Sequence, residues 1–309
     1  MKSVIIGENE AGQRVDKFLQ KSFKMPASLM YKYFRKKRIK LNGKKCEGNV
    51  MLSIGDKLEL YINDELLGTE EKSAGTNTDI DIVYEDENII IMDKPAGLLC
   101  HGEGQEDSLV RRMTAYLIKK GEYIPEKELS FSPALCNRLD RNTAGLLIGA
   151  KNAQALREIN KKIREDKIKK YYMCLVWGQP KAKSGVLESN LTKDERINKV
   201  SLSDKATNGS RMVRTGYKVL KSNGNMSLLE VELFTGRPHQ IRAQLAALGH
   251  PLVGDNKYGD KEKNKKTRFE YQALYSYKLI FQSVKSGEKT ENLCGKTFLS
   301  EKVYFKDFI

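Results

Sequence analysis

Asn137-Arg138-Leu139-Asp140-Arg141-Asn142-Thr143-Ala144-Gly145-Leu146-Leu147-Ile148 places one carboxylate between two arginines, in a polar turn, just before an apolar run that reads as a strand. Cations held near a carboxylate favour its ionised form. An ionised carboxylate at the lip of a sheet is equipped to act as a nucleophile or general base. The same pattern also describes a surface aspartate in a structural ion pair, and local chemistry alone leaves both readings open.

Outward from this stretch, strands and helices alternate without a regular βαβ rhythm. Residues 82–84 and 89–92 read as buried strands, 108–120 as a helix, 152–165 as a second helix, and 172–176, 226–233 and 279–281 as further strands. That mixture predicts an α+β domain over residues 80–309, with a mixed, largely antiparallel sheet flanked by helices. Residues 66–79 are rich in Gly, Ser, Thr and Asn, have no sustained period and read as a linker. Residues 1–65 form a small basic unit: from Ala11 to Lys45 there are twelve Lys or Arg and one acid, Asp16. Val15, Phe18 and Leu19 share one helical face, and Met30, Tyr33 and Phe34 share another, with Ser28 as the expected N-cap. Their apolar stripes would pack together and leave Lys32, Arg35, Lys36 and Lys37 outward. The run at 39–41, the turn Asn42-Gly43 and the run at 57–62 read as strands around a hairpin-type turn.

The whole chain has 309 residues, 55 Lys and Arg against 40 Asp and Glu, a formal net charge of +15 and a sequence pI near 9.4. Such an excess fits a polyanionic partner, because Lys and Arg displace the counterions condensed on phosphates. The alternative is a basic surface that is merely solvated. No apolar run approaches the roughly 18 residues of a membrane span, and the apolar part of the N-terminus is too short for a signal peptide. The five cysteines (Cys46, Cys100, Cys136, Cys174, Cys294) are scattered without a C-x-x-C pair, which argues against a zinc site or a disulfide framework and fits a reducing cytoplasm. Three histidines, His101, His239 and His250, are too few and too dispersed to suggest a His-based metal centre. A monomer is expected, since no extended heptad or large apolar face is apparent.

Two further segments carry candidate chemistry. In Thr235-Gly236-Arg237-Pro238-His239-Gln240-Ile241-Arg242, turn residues precede a helical run in which Ile241, Leu245 and Leu248 share a face and Arg242 lies off it. Arg237, His239, Gln240 and Arg242 could together hold a phosphate or a carboxylate; a capped helix with solvated arginines is the plain alternative. In Lys169-Lys170-Tyr171-Tyr172, cations stand beside aromatics, a combination that holds RNA backbone and stacks a base. Successive strand residues point to opposite faces, so one of the two tyrosines is expected to pack within the sheet.

Taken together, these segments resemble the RluA-type pseudouridine synthase family. The family's His-Arg-Leu-Asp-x-x-Thr-x-Gly pattern stands here as Asn137 to Gly145. Lys94-Pro95-Ala96-Gly97, Lys170-x-Tyr172, Thr235-Gly236-Arg237 with His239-Gln240-Ile241-Arg242, and Gly249 to Asp255 follow in the family's order over roughly residues 80 to 305. The basic segment from about 12 to 62 resembles the small RNA-binding domain of ribosomal protein S-four. The resemblance implies that Asp140 is the essential carboxylate, that Tyr172 stacks on the target base, and that Arg242 pairs with Asp140. It implies that Arg138 enters the RNA stack where the target base leaves, as base-modifying enzymes must extrude their target. Further RNA contacts are expected from Arg35, Lys36, Lys37, Arg237, His239 and Gln240. The implied reaction moves the glycosidic bond from N1 to C5 of one uracil, so no cofactor or metal is expected. The implied partner is structured RNA, large-subunit ribosomal RNA first and transfer RNA second. Three positions depart from the family: Asn137 and Gln272 where histidine is usual, and Pro238 where threonine is common. Two rival readings are a non-catalytic RNA-binding or ribosome-assembly protein of the same fold, and a nucleotide hydrolase or transferase. The second lacks a phosphate loop and an acidic metal cluster.

Overall fold

The computed structural model describes residues 2–62, 77–104, 106–282 and 287–309. The first part contains β1 (Lys2–Ile5), α1 (Val15–Phe23), α2 (Ala27–Arg35), β2 (Ile39–Leu41), β3 (Lys44–Lys45) and β4 (Lys57–Leu60). The strands form an antiparallel sheet in the order β1-β4-β2-β3. Val15, Phe18 and Leu19 are fully buried and meet Met30, Ile39, Leu58 and Leu60 in one core. The helical stripe is therefore what folds this unit. Ser28 is not the N-cap of α2. Pro26 takes that place at φ −58° and ψ 140°, and its carbonyl accepts the Met30 N–H at 3.0 Å. Proline fixes φ where a helix begins, so the helix starts one residue before Ser28. Asn42 and Gly43 both have positive φ, 51° and 76°, as a two-residue hairpin turn requires. The turn leads into the short β3, and β4 pairs with the other side of β2. Of the expected linker, residues 66–76 lie outside the described residues; 77–79 contain neither helix nor strand.

The second part is built on one large sheet. Its strands are β5 (Ile82–Glu85), β6 (Ile89–Lys94), β7 (Ala134–Leu135), β8 (Ala144–Ala150), β9 (Ile168–Trp177), β10 (Ser184–Asp194), β11 (Lys199–Ser203), β12 (Arg211–Ser222), β13 (Met226–Leu233), β14 (Leu274–Phe281) and β15 (Thr297–Leu299). The order is β11-β10-β12-β13-β9-β14-β8-β6-β5, with β7 on β8 and β15 on β14. Among these pairings only β8 with β14 is parallel, as an α+β domain with a largely antiparallel sheet predicts. Alternation along β6 divides the core. Ile90 and Met92 face Leu109, Met113 and Leu117 of α3 (Leu109–Lys119) and Ile241 and Leu245 of α5 (Gln240–Ala247). Ile89 and Ile91 face Ala155 and Ile159 of α4 (Ala153–Arg164). The sheet thus carries helices on both faces. A short α6 (Lys261–Lys265) follows, and no described helix is long and apolar enough to cross a membrane.

The two parts touch. Glu10 is buried and accepts the Ser130 N–H and hydroxyl, at 3.2 and 3.1 Å. The Asn9 amide donates to Glu128 and its oxygen accepts the N–H of Ala153, at 2.9 Å. Leu129 packs against the core of the small unit.

Candidate active site

Asp140 sits in the loop between β7 and β8, and that loop is fixed from several directions. Asn137 Oδ1 accepts the Ile148 N–H of β8 at 2.9 Å. The Cys100 thiol donates to Leu139 O at 3.2 Å and its sulfur accepts the Leu139 N–H at 3.3 Å. Gly97 N–H donates to Arg141 O, and Arg141 Nε donates back to Gly97 O, both at 3.0 Å. The Lys94 ammonium is fully buried and donates to the carbonyls of Pro95, Leu98 and Arg141 at 2.8–2.9 Å. Burial pushes its pKa down to about 8. Thr143 N–H closes a turn onto Asp140 O at 3.0 Å, and its hydroxyl accepts from the buried Gln272 amide at 3.2 Å. Two of the family departures, Asn137 and Gln272, therefore hold the loop through side-chain amides.

Gly145, the second residue of β8 just after this loop, tolerates no side chain. Its φ is +116°, and a Cβ there would lie 2.2 Å from Ser276 O across the parallel β8–β14 pair. Only glycine allows both that backbone and that approach.

Arg242 meets Asp140 from α5. Its Nη1 donates to Asp140 Oδ2 at 2.8 Å, while Nε and Nη2 donate to the two oxygens of Asp255 at 2.7 and 3.0 Å. Asp255 is fully buried and also accepts the N–H groups of Lys257 and Tyr258. Burial opposes the charges of this pair. The pairing outweighs it, so Arg242 lies above its ordinary pKa and Asp255 below. The guanidinium also lies 5.2 Å from the centre of the Tyr258 ring. Arg242 lies off the Ile241–Leu245 stripe yet is buried, because α5 is enclosed nearly all round: Gln240 and Gln244 are buried too. Leu248, expected on the apolar face, ends the helix and is 37 % exposed.

Tyr172 packs with Leu98, Cys100 and Leu139 on the α3–α5 face of the sheet. Its partner across the strands is Ser276. Burial raises its pKa, the Ser276 hydrogen bond opposes this, and the charge of Asp140 adds to it. Tyr171 has Lys278 Nζ 4.2 Å from its ring centre and stays half-buried. Asp140, Tyr172 and Arg242, separated by up to 102 positions in the chain, thus converge. Asp140 keeps 25 % of its side-chain surface exposed, so a ligand can reach it.

The remaining candidates divide. Arg138 and Arg237 are exposed at the loop and before α5; Arg35, Lys36 and Lys37 are exposed at the C-terminal end of α2. His239 lies at the N-cap of α5, with Nε2 3.9 Å from Asp140 Oδ2. Gln240 is not available to RNA. It is 2 % exposed, its oxygen accepts from Thr235 Oγ1 and Arg237 N, and its amide nitrogen donates to Arg214 O and Thr215 Oγ1. Every donor and acceptor of the carboxamide is used within the protein. The sequence reading placed Lys94 and Asp255 in family motifs, and Tyr258 just after them, but gave none of the three a role in the site. A lysine ending the apolar run at 89–94, and an acid closing Pro251-Leu252-Val253-Gly254, were the available signals.

Residues 88–247 match the model of the family described as RNA pseudouridylate synthase. The chain is 32 % identical over 295 residues to an uncharacterized RNA pseudouridine synthase of Mycoplasma capricolum, covering 92 % of this chain and 93 % of that one. It is 31 % identical over 275 residues to the ribosomal large subunit pseudouridine synthase C of Escherichia coli K12, covering 85 % and 81 %. Among solved structures, human RNA pseudouridylate synthase domain containing 4 superposes with a TM-score of 0.57 at 21 % identity, over 72 % of this chain and 88 % of that one, which shows the shared fold. The chain belongs to the RNA pseudouridylate synthase family, RluA type, a family of isomerases.

Proposed function

We propose that this chain converts specific uridines of large-subunit ribosomal RNA to pseudouridine, with Asp140 as the reacting carboxylate. The observation that carries the reading is the Arg242 guanidinium bound to one Asp140 oxygen at 2.8 Å, with Asp140 still partly open and Tyr172 beside it. The bond from C1′ to N1 breaks, the uracil turns, C5 bonds to C1′, and the C5 proton leaves. Asp140 serves as nucleophile or as base for a ribose proton; both roles use the unprotonated carboxylate. Tyr172 forms the aromatic wall for the extruded base, and Arg138 takes the place that base leaves in the stack. Residues 1–65 form an RNA-binding module, with Arg35, Lys36 and Lys37 on phosphate. The substrate choice is supported by relatives named as large-subunit enzymes, at about 31 % identity over most of the chain.

The test has two arms. Large-subunit RNA carrying C5-tritiated uridine should release tritium on incubation with the protein. RNA from a strain lacking it should lose one or more pseudouridines from the large-subunit map. Tight binding without release would favour the non-catalytic reading, and a loss confined to transfer RNA would reassign the substrate.

A further inference from the structure

His239 has a left-handed backbone, φ 53°, at the N-cap of α5, a conformation that few residues other than glycine adopt and that asparagine, aspartate and histidine tolerate best. Its ring is locked by Tyr258: Nδ1 lies 2.8 Å from the Tyr258 hydroxyl, and the rings meet edge to face at 76°. That hydroxyl already accepts the Val200 N–H at 2.9 Å. Its own proton is free to go to His239 Nδ1. With Tyr258 as the donor of that bond, a neutral imidazole carries its proton on Nε2. Nε2 lies 3.9 Å from Asp140 Oδ2, beyond hydrogen-bond reach, and that oxygen is held by Arg242. Among the described residues, Nε2 makes no hydrogen bond, although the side chain is only 10 % exposed.

We propose that His239 is a catalytic residue of this site: a neutral ring held by Tyr258 so that Nε2–H donates to an acceptor oxygen of the uridine bound beside Asp140. This rests on the reading of Asp140 above and adds a substrate contact to it. Asp140, Asp255, Arg242 and Lys257 are the charges facing the ring, and Lys199 covers the outer side of Tyr258. Burial chiefly, with Arg242 and Lys257, outweighs the two carboxylates and keeps the imidazole below its ordinary value of 6.5, so the neutral donor prevails at neutral pH.

The variants His239→Asn and His239→Gln in the full chain separate the roles. Asparagine suits the left-handed backbone and can bond Tyr258, but it ends before the Nε2 position. Glutamine carries an N–H donor as far out as Nε2. In single-turnover tritium release from C5-tritiated large-subunit RNA, H239N should react about tenfold more slowly, the worth of one hydrogen bond in the transition state. H239Q should stay within about threefold of the parent, on the same scale. Equal rates for H239N and parent would overturn the proposal, as would equal losses in both variants at unchanged melting temperature. Parent protein that releases no tritium would instead defeat the reading of the site as a whole.

Discussion

Asp255 makes no predicted contact with substrate, yet it holds the residue that holds Asp140, so Asp255→Asn tests whether the site is built as described. Asp255 Oδ1 accepts from Arg242 Nη2, Lys257 N and Tyr258 N, and Oδ2 accepts from Arg242 Nε. An asparagine that keeps its oxygen at the Oδ1 position retains three of these bonds without the charge. Its amide then faces Arg242 Nε, donor against donor, and the opposite flip loses more. Loss of one charge-assisted bond and a buried unpaired donor cost together about 3–5 kcal/mol. For a chain of this size that corresponds to a fall in melting temperature of about 6–20 °C, at roughly 2–4 °C per kcal/mol. The sign with pH follows from the lowered pKa of Asp255. A depressed carboxylate stabilises the fold above its unfolded value and loses that contribution as pH falls through its folded value. The gap between parent and D255N should therefore be constant from pH 6 to 8 and narrow below about 4. Thermal melting across pH is the assay, with tritium release beside it to detect a displaced Asp140. A melting temperature within about 2 °C of the parent, well under the range above, would refute the buried triad as the support of the site.

Three further predictions follow from the loop. Gly145→Ala should cost about 4 kcal/mol or more, because its Cβ would strike the Ser276 backbone, whereas Gly43→Ala, in open space, should cost about 1 kcal/mol for its left-handed φ alone; comparable denaturant midpoints for the two would contradict this. Lys94→Met should remove the tie between the loops, and the pH dependence reads the lysine directly. A lysine whose pKa drops to about 8 on folding makes the fold gain stability as pH rises from there toward 10.4, so the parent should gain on K94M over that window. Arg138→Ala should slow turnover more on a stem-loop than on an unstructured oligonucleotide, since unstacking costs a few kcal/mol only in structured RNA; equal losses would leave Arg138 a phosphate contact.

What could be read in advance followed from periodicity and chemistry. The stripe Val15, Phe18, Leu19 and the run at 226–233 are strong patterns, and each forms the expected element. β10, β11 and β12 escaped because one face of each is solvated and charged, as at Lys193, Lys199, Arg211 and Arg214, which masks the alternation. β1 escaped because four residues carry too short a pattern. In the site, the flanks of Asp140 marked it as a candidate but left it open between a reacting carboxylate and a structural ion pair; the family motif singled it out. The roles of Asp255 and Lys94 were not legible, since their meaning lies in partners far along the chain: Arg242 for one, the Arg141 carbonyl for the other. Gln240 looked like a surface ligand because a polar side chain before a helix usually is solvated. Here it closes the junction of α5 with β12.

The measurement closest to the centre of this account is single-turnover tritium release by Asp140→Asn, with enzyme in excess over C5-tritiated large-subunit RNA. The change is nearly isosteric, and Arg242 keeps Asp255, so melting should shift little. RNA affinity should stay within a few-fold, because phosphate contacts from basic surfaces supply most of it. A neutral amide can neither attack the ribose nor take its proton, so release should vanish. Folded D140N that binds RNA and releases no tritium is the predicted result; release near the parent rate would remove Asp140 from the mechanism.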